Sequence, residues 1–181
     1  MAVPDPDVAG VRAPDLSSLN VMILPAQGPP RGSRVQGLAG DGLDAEIGFF
    51  LAEQAPRVHW VMSDAVRKSA ANARSLNIHP EALAVSAFNG SRVTRIGDPL
   101  WGDLRMLGEL MSARYAILPF ATGFVPDSTG TTGRVEIGAA LIDTGNGNVL
   151  WIGYAAGDRG MAGDAVVTAS AARALARKIA P

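Results

Sequence analysis

The segment Thr144-Gly145-Asn146-Gly147-Asn148 constrains this chain more than any other. Gly and Asn adopt positive φ at low cost, so a run of them between two apolar segments closes a β-hairpin. Upstream, Val135, Ile137 and Leu141 alternate with Arg134 and Glu136, the period of a strand with one buried face. Downstream, VLWIGYA (149–155) supplies the return strand. A third strand is predicted over 114–122 (RYAILPFAT), immediately before this pair. Pro119 has no N–H for a ladder, so that strand carries a bulge or lies at an edge.

The first half alternates differently. LNVMIL (19–24) is a short apolar run stopped by Pro25 and reads as a buried strand. Leu43, Ile47, Phe50 and Leu51 then repeat at helical spacing, and RVHWVM (57–62) reads as a second strand. A strand–helix–strand crossover pairs its strands in parallel. Further helices are predicted after Ser63, from Pro80 to about Phe88, from Asp98-Pro99 along the stripe Leu100, Leu104, Leu107 and Met111, and from about Gly163 along Val167, Ala171, Leu175 and Ile179. Arg173, Arg177 and Lys178 suit the negative end of that last helix. The order β-α-β-α-α-α-β-β-β-α defines an α/β (α+β) chain with one mixed sheet of about five strands and helices packed on it. Residues 19–181 make a single domain. Residues 1–18, rich in Pro and Asp and without apolar periodicity, read as a flexible leader or tether. The leader has neither the basic nor the apolar region of a secretory signal, so any export signal is expected upstream of it.

Lys+Arg total 16 against 17 Asp+Glu, a net charge of −1, which argues against nucleic acid or an anionic membrane as main partner. No apolar run approaches the roughly 18 residues of a membrane span. The absence of Cys excludes thiolate metal sites and thiol nucleophiles, and His59 and His79 are not spaced as metal ligands. The reading is therefore of a non-enzyme that needs no cofactor.

Two motifs invite a chemical reading. Ala140-Leu141-Ile142-Asp143-Thr144-Gly145 resembles the catalytic loop of aspartic proteases, which require two such aspartates sharing a proton. A homodimer could supply the second; the competing reading of Asp143 is a hairpin corner. The loop 127–133 offers hydroxyls and glycines but no phosphate-loop Lys, and it joins two strands. A small-ligand site at the ends of the parallel strands is a further alternative. The long loops 26–42 and 123–133 are candidate contact surfaces. Their proposed partner-contact residues are Arg31 and Arg34 in the first, and Phe124 and Val125 in the second.

Three passages together resemble a family: Ile23-Leu24-Pro25 before a Gly-rich loop; Leu107-Gly108 running through Ala113-Arg114-Tyr115-Ala116-Ile117-Leu118; and Asp143-Thr144-Gly145 leading to Leu150-Trp151. The order is similar to bacterial envelope lipoproteins with a TolB-amino-terminal-like fold. These include the curli-secretion lipoprotein, penicillin-binding-protein activators and auxiliary lipoproteins of transport systems. Ala113-Arg114-Tyr115 departs from the family's acidic pattern, and Pro119 replaces its Gly. The resemblance implies a periplasmic accessory or assembly protein, anchored to the outer membrane through a lipidated Cys expected upstream of residue 1. It would work through an envelope protein partner or as a homo-oligomer.

Overall fold

The computed structural model describes residues 13–29, 40–89, 93–128 and 130–180. Arg31 and Arg34 lie outside the described residues. Among the described residues, four α-helices flank one six-stranded mixed sheet. The elements are β1 (Asn20–Ile23), α1 (Gly40–Gln54), β2 (His59–Val61), α2 (Ser63–Asn72), α3 (Leu100–Met111), β3 (Tyr115–Pro126), β4 (Thr132–Asp143), β5 (Val149–Ala156), β6 (Gly160–Met161) and α4 (Ala165–Ile179). The strand order is β2-β1-β3-β4-β5, with β6 on β4 beside β5. β1 pairs in parallel with both β2 and β3, and the later pairings are antiparallel.

Each face of the sheet covers its own core. Leu43, Ile47 and Leu51 of α1 and Ala171, Leu175 and Ile179 of α4 bury on one face against Val21, Ile23, Ile117 and Ile137. Val66 of α2 and Leu100, Leu104 and Leu107 of α3 bury on the other, against Met22, Ala116, Leu118 and Ala140. The helical stripes legible in the sequence are the buried ones, as amphipathic periodicity requires. Asp164 caps α4 by accepting from Val166 N at 2.9 Å. At α3, Pro99 takes the cap position, and Asp98 Oδ1 accepts from Gly102 N at 3.1 Å.

β6 has no counterpart in the sequence expectation, and two of the expected elements take another form. The helix predicted from Pro80 to about Phe88 shrinks to a 3₁₀ turn over Val85–Asn89. The backbone it would need is engaged elsewhere: buried Gln27 donates from Nε2 to Pro80 O at 2.9 Å and accepts from Leu83 N at 3.0 Å. The expected loop 123–133 is the second. β3 runs to Pro126 and β4 starts at Thr132, so the connection is short. Phe124 is 3% exposed and lies in the α1/α4 core; it covers the sheet rather than reaching out from a loop. Pro119 sits at a bulge, with the β3–β4 register shifting between Pro119 and Ala121.

Candidate functional site

β1 and β2 are short, whereas β3 and β4 are 12 residues each. The β3–β4 ribbon therefore runs on past the parallel part of the sheet. Side chains alternate across it. Phe124, Val135 and Ile137 face the α1/α4 core, so Val125, Arg134 and Glu136 face the opposite way. On that opposite face the second core takes nothing from β3 beyond Ala121 and nothing from β4 before Ala140, among the described residues. Among the described residues, neither hydrophobic core reaches the ribbon's outer end on that side.

Val125 stands opposite Arg134, and Gly133 opposite Pro126. β6 extends the ladder, with Met161 opposite Thr132. Val125 and Pro126 are half-buried, while Met161 is 67% exposed. A shallow concavity of about 300 Å³ lies here, lined by Val125, Pro126, Asp127, Gly133, Arg134 and Arg159. Its charges are held in pairs. Arg134 reaches Glu136 at 2.8 Å and Arg159 reaches Asp127 at 3.6 Å. Thr132 Oγ1 donates to Asp127 Oδ2, pinning the turn. The concavity combines two apolar side chains, Val125 and Pro126, with two guanidiniums, on a backbone fixed by three strands.

Asp143 is a hairpin corner. Its carboxylate accepts from Gly145 N at 3.0 Å, Asn146 Nδ2 at 3.2 Å, and Arg114 Nε and Nη2 at 3.3 and 3.0 Å. These bonds hold the Arg114 guanidinium above its ordinary pKa. Thr144 Oγ1 donates to Arg114 O at 2.9 Å, and Trp101 Nε1 donates to Thr144 O at 3.1 Å. The turn is clamped onto the end of α3. Gly108 explains why: a Cβ there would meet Thr144 Oγ1 at 2.7 Å and Ala113 O at 2.8 Å. The Leu107-Gly108 passage and the Asp143-Thr144-Gly145 turn are the two sides of a single joint.

No family model matches the chain, and no curated protein matches it. Solved structures do. The C-terminal domain of LpoB from Salmonella enterica superposes with a TM-score of 0.50 at 12% identity, over 80% of this chain and 86% of that one. The fold is that of the LpoB C-terminal domain. Other similar structures are the PelC dodecamer from Paraburkholderia phytofirmans, with a TM-score of 0.46 at 16% identity over 93% of each chain, and a lipoprotein from Neisseria meningitidis, with 0.42 at 16% over 81% and 85%.

Within this LpoB-like fold, Phe124 and Val125 are the contact residues singled out from sequence that lie among the described residues. Phe124 and Val125 are neighbours in β3 but serve opposite faces, core and surface. Alternation alone could have separated them. Arg134 and Glu136 were legible as an outward pair; Arg159 and Met161 were not, because Asp158 to Gly163 carry no periodic pattern. The carboxyl end of β1, where a doubly wound sheet would hold a ligand, is filled by protein. Gln27 N donates to Pro119 O at 2.9 Å, its Nε2 also donates to Pro25 O at 2.8 Å, and Thr122 Oγ1 donates to Gln27 O at 2.6 Å. Beside it, buried Asp44 accepts from Ala26 N at 2.7 Å and is paired with Arg67.

Proposed function

We propose that this chain is a non-catalytic accessory or assembly domain of the bacterial cell envelope. In this reading it is held in the periplasm as an outer-membrane lipoprotein and works through protein–protein contacts. The LpoB-like fold and the motif resemblance to envelope lipoproteins support the envelope assignment. The observation that carries the contact reading is the bare end of the β3–β4–β6 ribbon. There Met161 is exposed, and Val125 and Pro126 line a shallow concavity together with Arg134 and Arg159. Apolar anchors inside a polar rim, on a rigid support, are the ordinary anatomy of a contact site. The partner is an envelope protein or further copies of the chain. Val125 remains a contact residue in this proposal, whereas Phe124 supports it from behind.

The test is capture of the tagged chain from envelope extracts of its native host, wild type against Val125→Ser with Met161→Asp. One envelope protein, or the chain itself, should be enriched by the wild type. The double variant should lose about tenfold of it, the scale of one anchor residue, with its thermal midpoint nearly unchanged. The same proteins captured equally by both would contradict the proposal.

A further inference from the structure

The other face of the molecule carries an independent feature. Glu46, Phe49, Phe50 and Glu53 lie at i, i+3, i+4 and i+7 along α1, and Val166, Ala169, Arg173 and Arg177 lie at i, i+3, i+7 and i+11 along α4. These spacings put each set on one helix face. α1 packs against α4, and an open groove of about 410 Å³ runs where the two faces meet, lined by Phe50, Glu53, Gln54, Arg173, Ala176 and Arg177. The Arg173 guanidinium lies over the Phe50 ring, 4.8 Å from its centroid. Phe49 meets Phe50 edge-on at 5.1 Å and is 61% exposed.

The charges of this groove are not ion-paired among the described residues. Arg67, Arg114, Arg134 and Arg159 each hold a carboxylate. Arg173 and Arg177 hold none among the described residues, nor does Glu53 across from them hold a cation. Two guanidiniums on one wall, one of them already oriented by stacking, present forked donors toward the open groove. The exposed Phe49 ring, edge-on to Phe50 of the groove, offers an apolar landing. We propose that this groove docks an acidic segment of a partner polypeptide, its carboxylates on Arg173 and Arg177 and an apolar side chain on Phe49. An anionic membrane would meet the same arginines, but it would also press its phosphates against Glu46 and Glu53 on the α1 wall. A single polypeptide segment can place its acids on one wall only. This site lies on the helical face, opposite Val125 and Arg134, and stands or falls apart from the ribbon contact.

The probes are a labelled peptide Ser-Glu-Leu-Glu-Phe-Glu-Leu-Glu-Ser and its Gln counterpart, read by fluorescence anisotropy with the full chain. The Glu peptide should bind about tenfold more tightly than the Gln peptide, and Arg173→Gln with Arg177→Gln should remove that advantage, as charge-assisted hydrogen bonds predict. Glu53→Gln, which removes the opposing charge, should leave binding equal or tighter. The melting curves of all variants should coincide, because these side chains are exposed. Equal affinity for both peptides overturns the proposal, and so does wild-type binding by the double arginine variant. Vesicles of equimolar phosphatidylglycerol and phosphatidylcholine should not sediment the chain. Sedimentation that the double variant abolishes would assign the groove to a lipid surface and overturn the proposal as well.

Discussion

Phe124 and Val125 are adjacent, apolar and set in a stretch that reads as loop, yet the structure gives them opposite fates. The Phe124 ring packs in the α1/α4 core at 3% exposure and crosses the ladder to lie over Gly133. A Cβ at Gly133 would sit 2.7 Å from Phe124 Cζ and 2.3 Å from Val125 O, so the glycine is there to admit the ring and the close strand. Truncating a buried Phe to Ala costs about 3–5 kcal/mol. Against a total stability of about 5–15 kcal/mol, and at about 2–4 °C per kcal/mol for a chain of this size, Phe124→Ala should lower the thermal midpoint by about 6–20 °C. Val125 is half-buried with its side chain on the bare face, and Val125→Ala should cost about 1 kcal/mol or less. Phe124→Leu, which keeps most of the volume, should fall between them. Urea melts of the three variants decide the matter. If Phe124→Ala melts with the wild type while Val125→Ala is the damaging change, the ring is not in the core and the facing of the ribbon is reversed. A change of both residues together is a poor test of contact, since loss of Phe124 alone endangers the fold.

Two further predictions follow from particular side chains. Asp143→Asn keeps the turn's shape but loses the charge facing Arg114. It should lower the urea midpoint modestly, because solvent screens the exposed arginine. The cost should largely vanish in an Arg114→Met background, as a double-mutant cycle of urea midpoints would show; an additive cycle would sever the pair. Tyr154 meets Phe120 edge-on at 5.6 Å, and burial raises its pKa above the ordinary 10.0. The folded state favours the neutral phenol, so its contribution is complete below pH 10 and is lost as pH rises through the higher folded-state value. Thermal midpoints of the wild type should therefore fall more steeply than those of Tyr154→Phe above pH 10, and parallel curves would contradict the assignment.

Much of this fold could be read from local pattern. The stripes of α1, α3 and α4 repeat at 3.6-residue spacing and bury as read, except that Met111 at the end of α3 is half-buried, because each helix has one face on the sheet. The Gly- and Asn-rich turn placed β4 beside β5. What escaped depends on contacts between distant residues. Gln27 lies in a Gly- and Pro-rich stretch, and its three side-chain bonds go to Pro25, Pro80 and Leu83, so nothing near it in sequence marks it as buried. The same bonds suppress the helix expected from Pro80. The continuation of β3 and β4 was hidden by Gly123, Pro126 and Gly133, residues that signal a loop in isolation. Here Gly133 is required by the Phe124 ring across the ladder. Arg173 and Arg177 were legible only as cations suited to a helix end. Their lack of carboxylate partners among the described residues emerges only when α1 is packed beside them.

The central claim is that the bare end of the ribbon is where this chain meets its partner. Site-specific photocrosslinking in the native host tests it most directly, with a benzoylphenylalanine at Met161 and a control at exposed Arg74, beyond α2. A discrete crosslinked product from position 161, absent from position 74 and lost with Val125→Ser, is the predicted result. Crosslinks of equal yield from both positions, or from position 74 alone, would contradict it.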